Sequence, residues 1–564
     1  MYAGQDLSQI QKWVASQKLK APTMKNAPLF YRNLEAALDE RRAGHNLVTL
    51  HRFEHKVDFS SNDFLSLATS GLLREAFLEE LDRNPDFEVG STGSRISDGN
   101  NAYLEDLERQ IADFHGAEGS LIVGSGYDAN CAIFSAVPRP GDVIVYDELI
   151  HASVHDGMKA SLATNQIPFK HNSADSLRET LIALKEAQPL IRQGTRCVLI
   201  GVEAVYSMDG DVTPLAEIVE VVRDIFPNGN AQIIIDEAHS TGLVGENGRG
   251  LVSALGLEKE IAIRLHTYGK GLGTTGAAIL ANSTVLNTLI NFARPVIYTT
   301  APSFPMLAAI RAAYNLMETG QTQKLQARVQ HLVRHFCETI EADTDWQDAV
   351  DTGICSIPVS EDIEARPFVT QFLPVWTRQG QNYFLTMHLH GDGFTAIPID
   401  PPVVPRGTGR VRLVIHAGNT EKEVEGLAAS ICRWAREMLD IQQSKTPGNE
   451  IPSAMRKVYG LAQAANVQKM DLSQLAANPF DSSKIAKVQK RQIDESPWPD
   501  PIGLDAWRWT GPHGTIRTPS LIHASSPNTK VSAENDPQNG IFGFCQRNAN
   551  RGGRRIPHRN PRRV

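Results

Sequence analysis

The stretch RCVLIGVEAVYSMDGDVTPLAEIVEVVRDIFPNGNAQIIIDEAH, residues 196–239, decides the fold class. RCVLIGVEA (196–204) and AQIIIDEAH (231–239) are short, nearly continuous apolar runs. Between them PLAEIVEVVRDIF places its apolar residues at helical spacing. Apolar strands too hydrophobic to alternate, joined through an amphipathic helix, predict a mostly parallel sheet covered on both faces. The pattern extends outward on both sides. SLIVGSG (120–126) precedes a helical YDANCAIFSAV, and DVIVYD (142–147) precedes SVHDGMKAS. In such α/β sheets ligands gather at the C-terminal ends of the strands. The polar residues stand there: Ser125 and Gly126, Asp147, Glu203, and Asp236 with His239.

The chain has 564 residues, more than one core usually organises, with 41% hydrophobic and 21% charged residues. That composition excludes a collagen-like or mostly disordered chain. No apolar run is long enough to span a membrane, and the first 20 residues lack a signal-peptide apolar stretch. The six cysteines form no CxxC pair and read as reduced intracellular thiols. Charge divides the chain: residues 1–444 carry −17 and residues 445–564 carry +9. So acidic a body is a poor nucleic-acid binder. The organisation expected is an N-terminal segment (1–60), a large cofactor-binding domain (61–335) with a long helical stretch at about 302–343, a small C-terminal domain (336–443), and a disordered basic tail (444–564). The tail ends in QRNANRGGRRIPHRNPRRV, which leaves RNA or partner binding as a competing role for that segment.

HTYGKGLGTTG (266–276) contains Gly271-x-Gly273-x-x-Gly276, formally a dinucleotide fingerprint. That motif requires an acidic residue about 20 positions on, whereas the next acid is Glu318. No Walker A loop surrounds Lys270 either. What remains is a lysine in a glycine-rich turn, 34 residues after Asp236 at a strand tip. A lysine can form a Schiff base and a carboxylate can hold a ring nitrogen protonated. Those are the two requirements of pyridoxal phosphate. Ser125, Gly126 and Tyr127 supply helix-start amides for its phosphate, and Thr267 a hydroxyl. The HLHGD run at 388–392 and the spaced pairs His151/His155 and His331/His335 lack an HExxH glutamate, so no metal site is expected. No GxSxG elbow marks a serine hydrolase.

Taken in order, SSNDFLSL (60–67), GSTGSR (90–95), SGYDAN (125–130), LIHAS (149–153), EAVYSMDGD (203–211), DEAHSTGLVGENGRG (236–250), TYGKG (267–271), IYTTAP (297–302) and PPVVPRGTGRVRL (401–413) resemble the α-oxoamine synthases. These are pyridoxal-phosphate enzymes with the aspartate-aminotransferase-like fold (fold type I). The resemblance spans about Leu34 to Ala435 and implies an acyltransferase. Such an enzyme condenses an amino acid with an acyl-CoA or acyl-carrier thioester and loses CO2. It further implies Lys270 as the cofactor lysine that also moves the α-proton, and Asp236 as partner of the pyridinium nitrogen. His151 would stack on the ring, His239 and Ser207 would lie near its phenolic oxygen, and Gly126, Tyr127 and Thr267 would cradle the phosphate. Thr299 and Thr300 would reach the phosphate from a second subunit, implying a homodimer. Arg412 would grip the substrate carboxylate, and Asn62 and Glu203 match active-site positions. A protonated imidazole, His151 or His239, would stabilise the developing enolate oxygen.

Within the family, SSND, GSTGS and PLAEI most resemble the biotin-pathway branch, which joins L-alanine to pimeloyl-CoA. A polyketide or long acyl donor is the alternative. The family's N-terminal substrate arginine falls near Val48, with Arg52 close by, and Asp400 stands where an arginine precedes the Pro-Pro pair. Ser66 and Ala301 replace a usual glycine and serine. A cytoplasmic location is expected, with a peroxisomal one open, although PRRV is not an SKL-type address.

Overall fold

In a computed structural model of the chain the described residues are 8–50, 52, 56–360, 363, 366–401, 403–444 and 451–467. The chain divides into two units, Met1–Ala486 and Lys487–Val564. The second, with the Arg-rich end, lies outside the described residues.

The large sheet has seven strands: β1 (Gly119–Val123), β2 (Val143–Asp147), β3 (Asn165–Phe169), β4 (Val198–Glu203), β5 (Ala231–Asp236), β6 (Ile261–Thr267) and β7 (Ala277–Ala281). Their order is β1-β7-β6-β5-β4-β2-β3. The neighbours β3, β2, β4, β5 and β6 are mutually parallel, and β7 runs antiparallel to both β6 and β1. The expected mostly parallel α/β sheet is therefore present. Its strands show how continuous apolar runs serve two cores. Val143, Val145, Val198, Ile200, Val202, Ile233 and Ile235 enter one cluster, and their neighbours Ile144, Leu199 and Ile234 the other. Successive side chains point to opposite faces, so both parities must be apolar. Helices Gly126–Ala136 and Ala152–Lys159 belong to the second cluster through Ile133, Phe134, Val154 and Met158. Helices Ala174–Ala187 and Leu215–Ile225 belong to the first through Leu177, Leu181, Ile218 and Val222.

The smaller sheet is antiparallel and contains β8 (Cys355–Ser356), β9 (Phe372–Thr377), β10 (Ile397–Ile399) and β11 (Arg410–Val414), in the order β8-β9-β11-β10. Helices Asn382–Gly391 and Glu421–Gln443 accompany it, the latter opened by a Thr420/Glu423 capping box. The helical stretch expected at about 302–343 is two helices, Phe304–Glu318 and Gln323–Glu341, parted at Gly320, whose φ is +73°. A left-handed residue ends a helix, and glycine takes that conformation without a Cβ penalty.

The region expected to be a tail from 444 contains a helix, Ser453–Ala464. It buries Met455, Val458 and Ala462 and lies against both Asn382–Gly391 and the N-terminal helix Ser8–Ser16. Within 444–564 this corrects the expectation of disorder at 453–464. Val57 donates its amide to the Gly393 carbonyl at 2.9 Å, so the entering chain also borders the small sheet's elements. No described helix is long and apolar enough to cross a membrane.

Candidate active site

The parallel strands deliver their polar residues to one edge. Asp147 ends β2, Glu203 ends β4, Asp236 ends β5 and Thr267 ends β6. Glu203 and Asp236 are direct register partners. Such adjacent carboxylates cannot both ionise cheaply. Glu203 is the one displaced: burial first, then the Asp236 charge, raises its carboxyl well above the usual range, against a lowering pull from Lys270. Asp236 is held in orientation, its Oδ2 accepting from Asn130 Nδ2 at 2.8 Å and its Oδ1 from the Ala238 amide at 2.9 Å.

Lys270 follows β6 in a turn shaped by packing. Gly273 has φ +63°, and a Cβ there would lie 2.7 Å from the Ala68 amide nitrogen. Gly273 of the would-be nucleotide fingerprint thus lets this turn pack against the 60–68 segment, while Gly271 and Gly276 make room for the Thr241 carbonyl and Met306. Lys270 Nζ lies 2.9 Å from His239 Nε2. Burial lowers the lysine pKa; Asp236 and Glu203 oppose the shift and Arg412 adds to it. His239 is pushed well below its usual range by burial, then by Lys270, Arg412 and His151. His151 is solvent-accessible, yet desolvation by its walls, with Lys270 and His155, lowers its pKa against Asp236. Burial and the neighbouring cations thus pull both rings toward the neutral N–H form, against the protonated imidazole expected from the sequence.

Pyridoxal phosphate fits these residues. Helix Gly126–Ala136 starts at the tip of β1, with the Ser125 hydroxyl accepting the Asp128 amide at 3.1 Å. The first-turn amides of Gly126 and Tyr127 have no intrahelical acceptor and suit a phosphate. A Cβ on Gly126 would sit 2.2 Å from Thr267 Oγ1, so glycine keeps this cradle open. Thr267 Oγ1, His239 Nδ1, Asn62 Oδ1 and Arg412 Nε are buried atoms without a hydrogen-bond partner among the described residues. Buried polar atoms are ordinarily paired, so these groups, Thr267 at the strand tip beside Gly126 and His239 beside Lys270 above all, are open to a ligand. Arg412, on β11, lies 5.6 Å over the Phe372 ring, and burial lowers its pKa to about 10.

Ser207 stands half-buried in the turn between the paired segments Val205–Tyr206 and Asp211–Val212. That turn is gripped from two sides. Arg410 of β11 pairs with Asp209, and the Thr370 hydroxyl donates to the Gly210 carbonyl at 2.6 Å. His171 bridges Asp147 at 2.8 Å and Asp211 at 2.6 Å. Thr299, Thr300 and Arg52 are exposed and take no part in the hydrogen-bonded cluster around Lys270. The segment 299–302 instead meets the GSTGSR turn, where Ala301 N donates to Gly93 O at 2.9 Å.

Residues the sequence did not single out are Asn130, Ser153, His171 and Arg410. The signal available for Asn130 was an amide side chain on the apolar YDANCAIFSAV helix. The metal-like histidines have protein partners: His388 with the Ser430 carbonyl, His390 with the Ala396 carbonyl, His331 with Glu421 and His335 with Glu425. Among the described residues no group of three or more His, Cys, Asp or Glu side chains is arranged to hold a metal ion.

Fold and site together define a pyridoxal-phosphate enzyme of fold type I. Residues 54–431 match the aminotransferase class I and II family. The aminoacyl transferase sphA of Aspergillus fumigatus is 52% identical over 82% of this chain and 99% of its own length. The 8-amino-7-oxononanoate synthase of Emericella nidulans is 46% identical over 68% of this chain and 90% of its own. A solved SPT with PLP is 25% identical, with a TM-score of 0.58, covering 68% of this chain and 87% of that one. This chain belongs to the aminotransferase class I and II family and, within it, to the α-oxoamine synthases, PLP-dependent acyltransferases that condense an amino acid with an acyl thioester.

Proposed function

We propose that the acyl donor is a thioester of a long or polyketide-type chain without a terminal carboxylate, and that the reaction belongs to secondary metabolism. The observation that carries this reading is Asp400. Where the biotin-pathway branch has an arginine, this chain buries a carboxylate. Asp400 is 8% exposed, accepts from Asn382 Nδ2 at 3.1 Å, and has its pKa raised by burial. Val48 stands at the other expected cationic position, with the exposed Arg52 four residues on, so neither aligned position itself offers a cation to a pimeloyl carboxylate. In support, the sphA relatives of Aspergillus fumigatus and Byssochlamys spectabilis match over 99% and 98% of their lengths. The 46% identity to the Emericella nidulans protein favours a second reading, L-alanine with pimeloyl-CoA.

When bound, pyridoxal phosphate supplies an electron sink for the amino acid's α-carbon. The chain's residues do the rest. Arg412 holds the substrate carboxylate as a charge-assisted pair. Lys270 Nζ, its pKa lowered, takes the α-proton as a neutral amine. Asp236 keeps a ring nitrogen protonated, and His239 Nδ1–H and His151 offer donors to developing oxyanions. The α-carbon attacks the thioester carbonyl, the C–C bond forms, the C–S bond breaks and the thiol leaves. The carboxylate then departs as CO2 and a proton returns to the α-carbon. Thr299 and Thr300, exposed in one subunit, complete the site of a second copy in a homodimer.

The test is thiol release and product mass from purified protein with a panel of amino acids and thioesters. Turnover with long-chain or carrier-bound acyl groups and none with pimeloyl-CoA is expected. Preferred turnover of L-alanine with pimeloyl-CoA would replace this reading with the second.

A further inference from the structure

Asn130 and Ser153 have no part in the chemistry proposed above, yet they join two of its centres. Asn130 is 2% exposed on helix Gly126–Ala136, and Ser153 is fully buried at the start of helix Ala152–Lys159. Asn130 Nδ2 carries two hydrogens and spends both. One goes to Asp236 Oδ2 at 2.8 Å, the other to Ser153 Oγ at 3.0 Å. Since Ser153 Oγ already accepts there, its own hydrogen is available for His151 Nδ1, 2.7 Å away. The Ser153 amide points at the same Nδ1 from 3.2 Å. A backbone N–H can only donate, so Nδ1 must present a lone pair. The ring's single proton then belongs on Nε2.

We propose that Asn130 and Ser153 are positioning residues that lock His151 as its Nε2–H tautomer and tie that ring to the carboxylate of Asp236. The assignment rests on the reading of His151 and Asp236 as site residues given above. Its physical content is a relay running one way, from the Asn130 amide through the Ser153 hydroxyl to His151, with the amide's second arm on Asp236. Protonating Nδ1 would break both bonds it accepts. Rotating the ring would leave two buried donors unpaired, which is costly. Other ionisable groups face the same ring. Asp236 of β5 favours its charged form, while Lys270 of the turn after β6, His239 of the turn after β5 and His155 of its own helix disfavour it. The His151 amide is bonded to Glu203 of β4, and Tyr127 presents its ring edge 6.4 Å away. None of these contacts Nδ1, so the tautomer is set by Ser153.

The test begins without cofactor, on the full chain labelled with 15N-histidine, the His151 signals being identified by their loss in His151→Gln. Long-range 1H–15N spectra should show Nε2 protonated and Nδ1 unprotonated in the wild type. In Ser153→Ala, where the backbone amide still donates to Nδ1, the two nitrogens should move part-way toward averaged values and the pH midpoint of the ring should rise by about one pH unit, a hydrogen bond's worth. Ser153→Thr, which keeps the hydroxyl, should restore the wild-type pattern. Should Ser153→Ala fail to fold, Asn130→Ala serves, since it frees the hydroxyl from its donor and loosens the same lock. An Nδ1–H tautomer in the wild type, or a pattern untouched by Ser153→Ala, overturns the proposal. In the cofactor-loaded protein, Asn130→Ala should also shift the pH dependence of the visible absorption band, because Asp236 loses a donor. A normal His151 tautomer in a protein that binds no pyridoxal phosphate would refute the site reading and leave this assignment standing.

Discussion

Replacing His171 by glutamine tests how the Ser207 turn is held. The imidazole is 20% exposed between Asp147, 1% exposed, and Asp211, 32% exposed. Burial alone would lower its pKa. The hydrogen bonds and charges of the two carboxylates outweigh that and raise it from 6.5 to about 10. Because the folded value lies above the unfolded one, the charged ring stabilises the fold fully below about pH 6.5. That contribution is lost as pH rises through about 10. Taken at face value the shift is worth ~5 kcal/mol. Solvent reaching Asp211 and the ring screens it to about 2 kcal/mol. A folded body of roughly 440 residues has ~0.9 kcal/mol/K of unfolding entropy, so this corresponds to about 2 °C in Tm. The assay is the Tm difference between wild type and His171→Gln at steps from pH 6 to 10.5. Subtracting the two proteins cancels other titrating groups. The gap should be about 2 °C near pH 6 and close as pH approaches and passes 10. A gap that stays constant across this range would refute the argument, since it would reflect packing and not charge.

Three other outcomes are expected. Gly126→Ala puts a Cβ 2.2 Å from Thr267 Oγ1 and should raise the pyridoxal-phosphate Kd at least ~10-fold, measured by fluorescence titration; unchanged affinity would remove this cradle from the site. Compared with a chain ending after Val467, one ending after Gln443 also loses buried Met455 and Val458 and should be about 3–5 kcal/mol less stable in chemical denaturation. Equal stability of the two truncations would show that helix 453–464 is dispensable. Arg412→Lys exchanges a planar fork for a point charge and should raise the amino-acid KM ~10-fold or more, with a smaller effect on kcat; an unaltered KM would place the carboxylate elsewhere.

What the sequence makes legible is whatever a short range encodes. Parallel strands buried on both faces betray themselves by unbroken apolar runs, and a polar residue closing such a run can only be at a strand tip. That logic suffices to put Asp147, Glu203 and Asp236 at one edge of the sheet. Asn130, His171 and Arg410 escape it because the partners that define their roles lie 23 to 201 positions away, and Ser153, though two residues from His151, is tied in through Asn130, 23 positions before it; no local pattern announces such pairings. The helix at 453–464 escapes for another reason. Its apolar positions 455, 458 and 462 follow helical spacing, but the Pro-, Ser- and Asn-rich sequence around it masks a single face that needs two other helices for burial.

The lowered pKa values of the two histidines bear on how the site works. A protonated imidazole would stabilise a developing oxyanion more strongly, but it would also repel the cofactor lysine's ammonium form and the Arg412 guanidinium, all within one poorly solvated pocket. The structure resolves that competition by spending charge sparingly. Burial first, and then the Asp236 charge, push Glu203 toward its neutral form, which leaves Asp236 as the carboxylate to face the ring nitrogen. Lys270 Nζ lies against His239 Nε2, while Nδ1, the ring's other nitrogen, has no hydrogen-bond partner among the described residues and is open to a ligand oxygen. A neutral N–H can strengthen its hydrogen bond as negative charge accumulates on the oxygen, with no proton to be returned afterwards. The same economy explains why Lys270 is buried beside a carboxylate and an arginine at once. The lowered pKa leaves more of the amine unprotonated near neutral pH, which is the form that can take a proton from carbon.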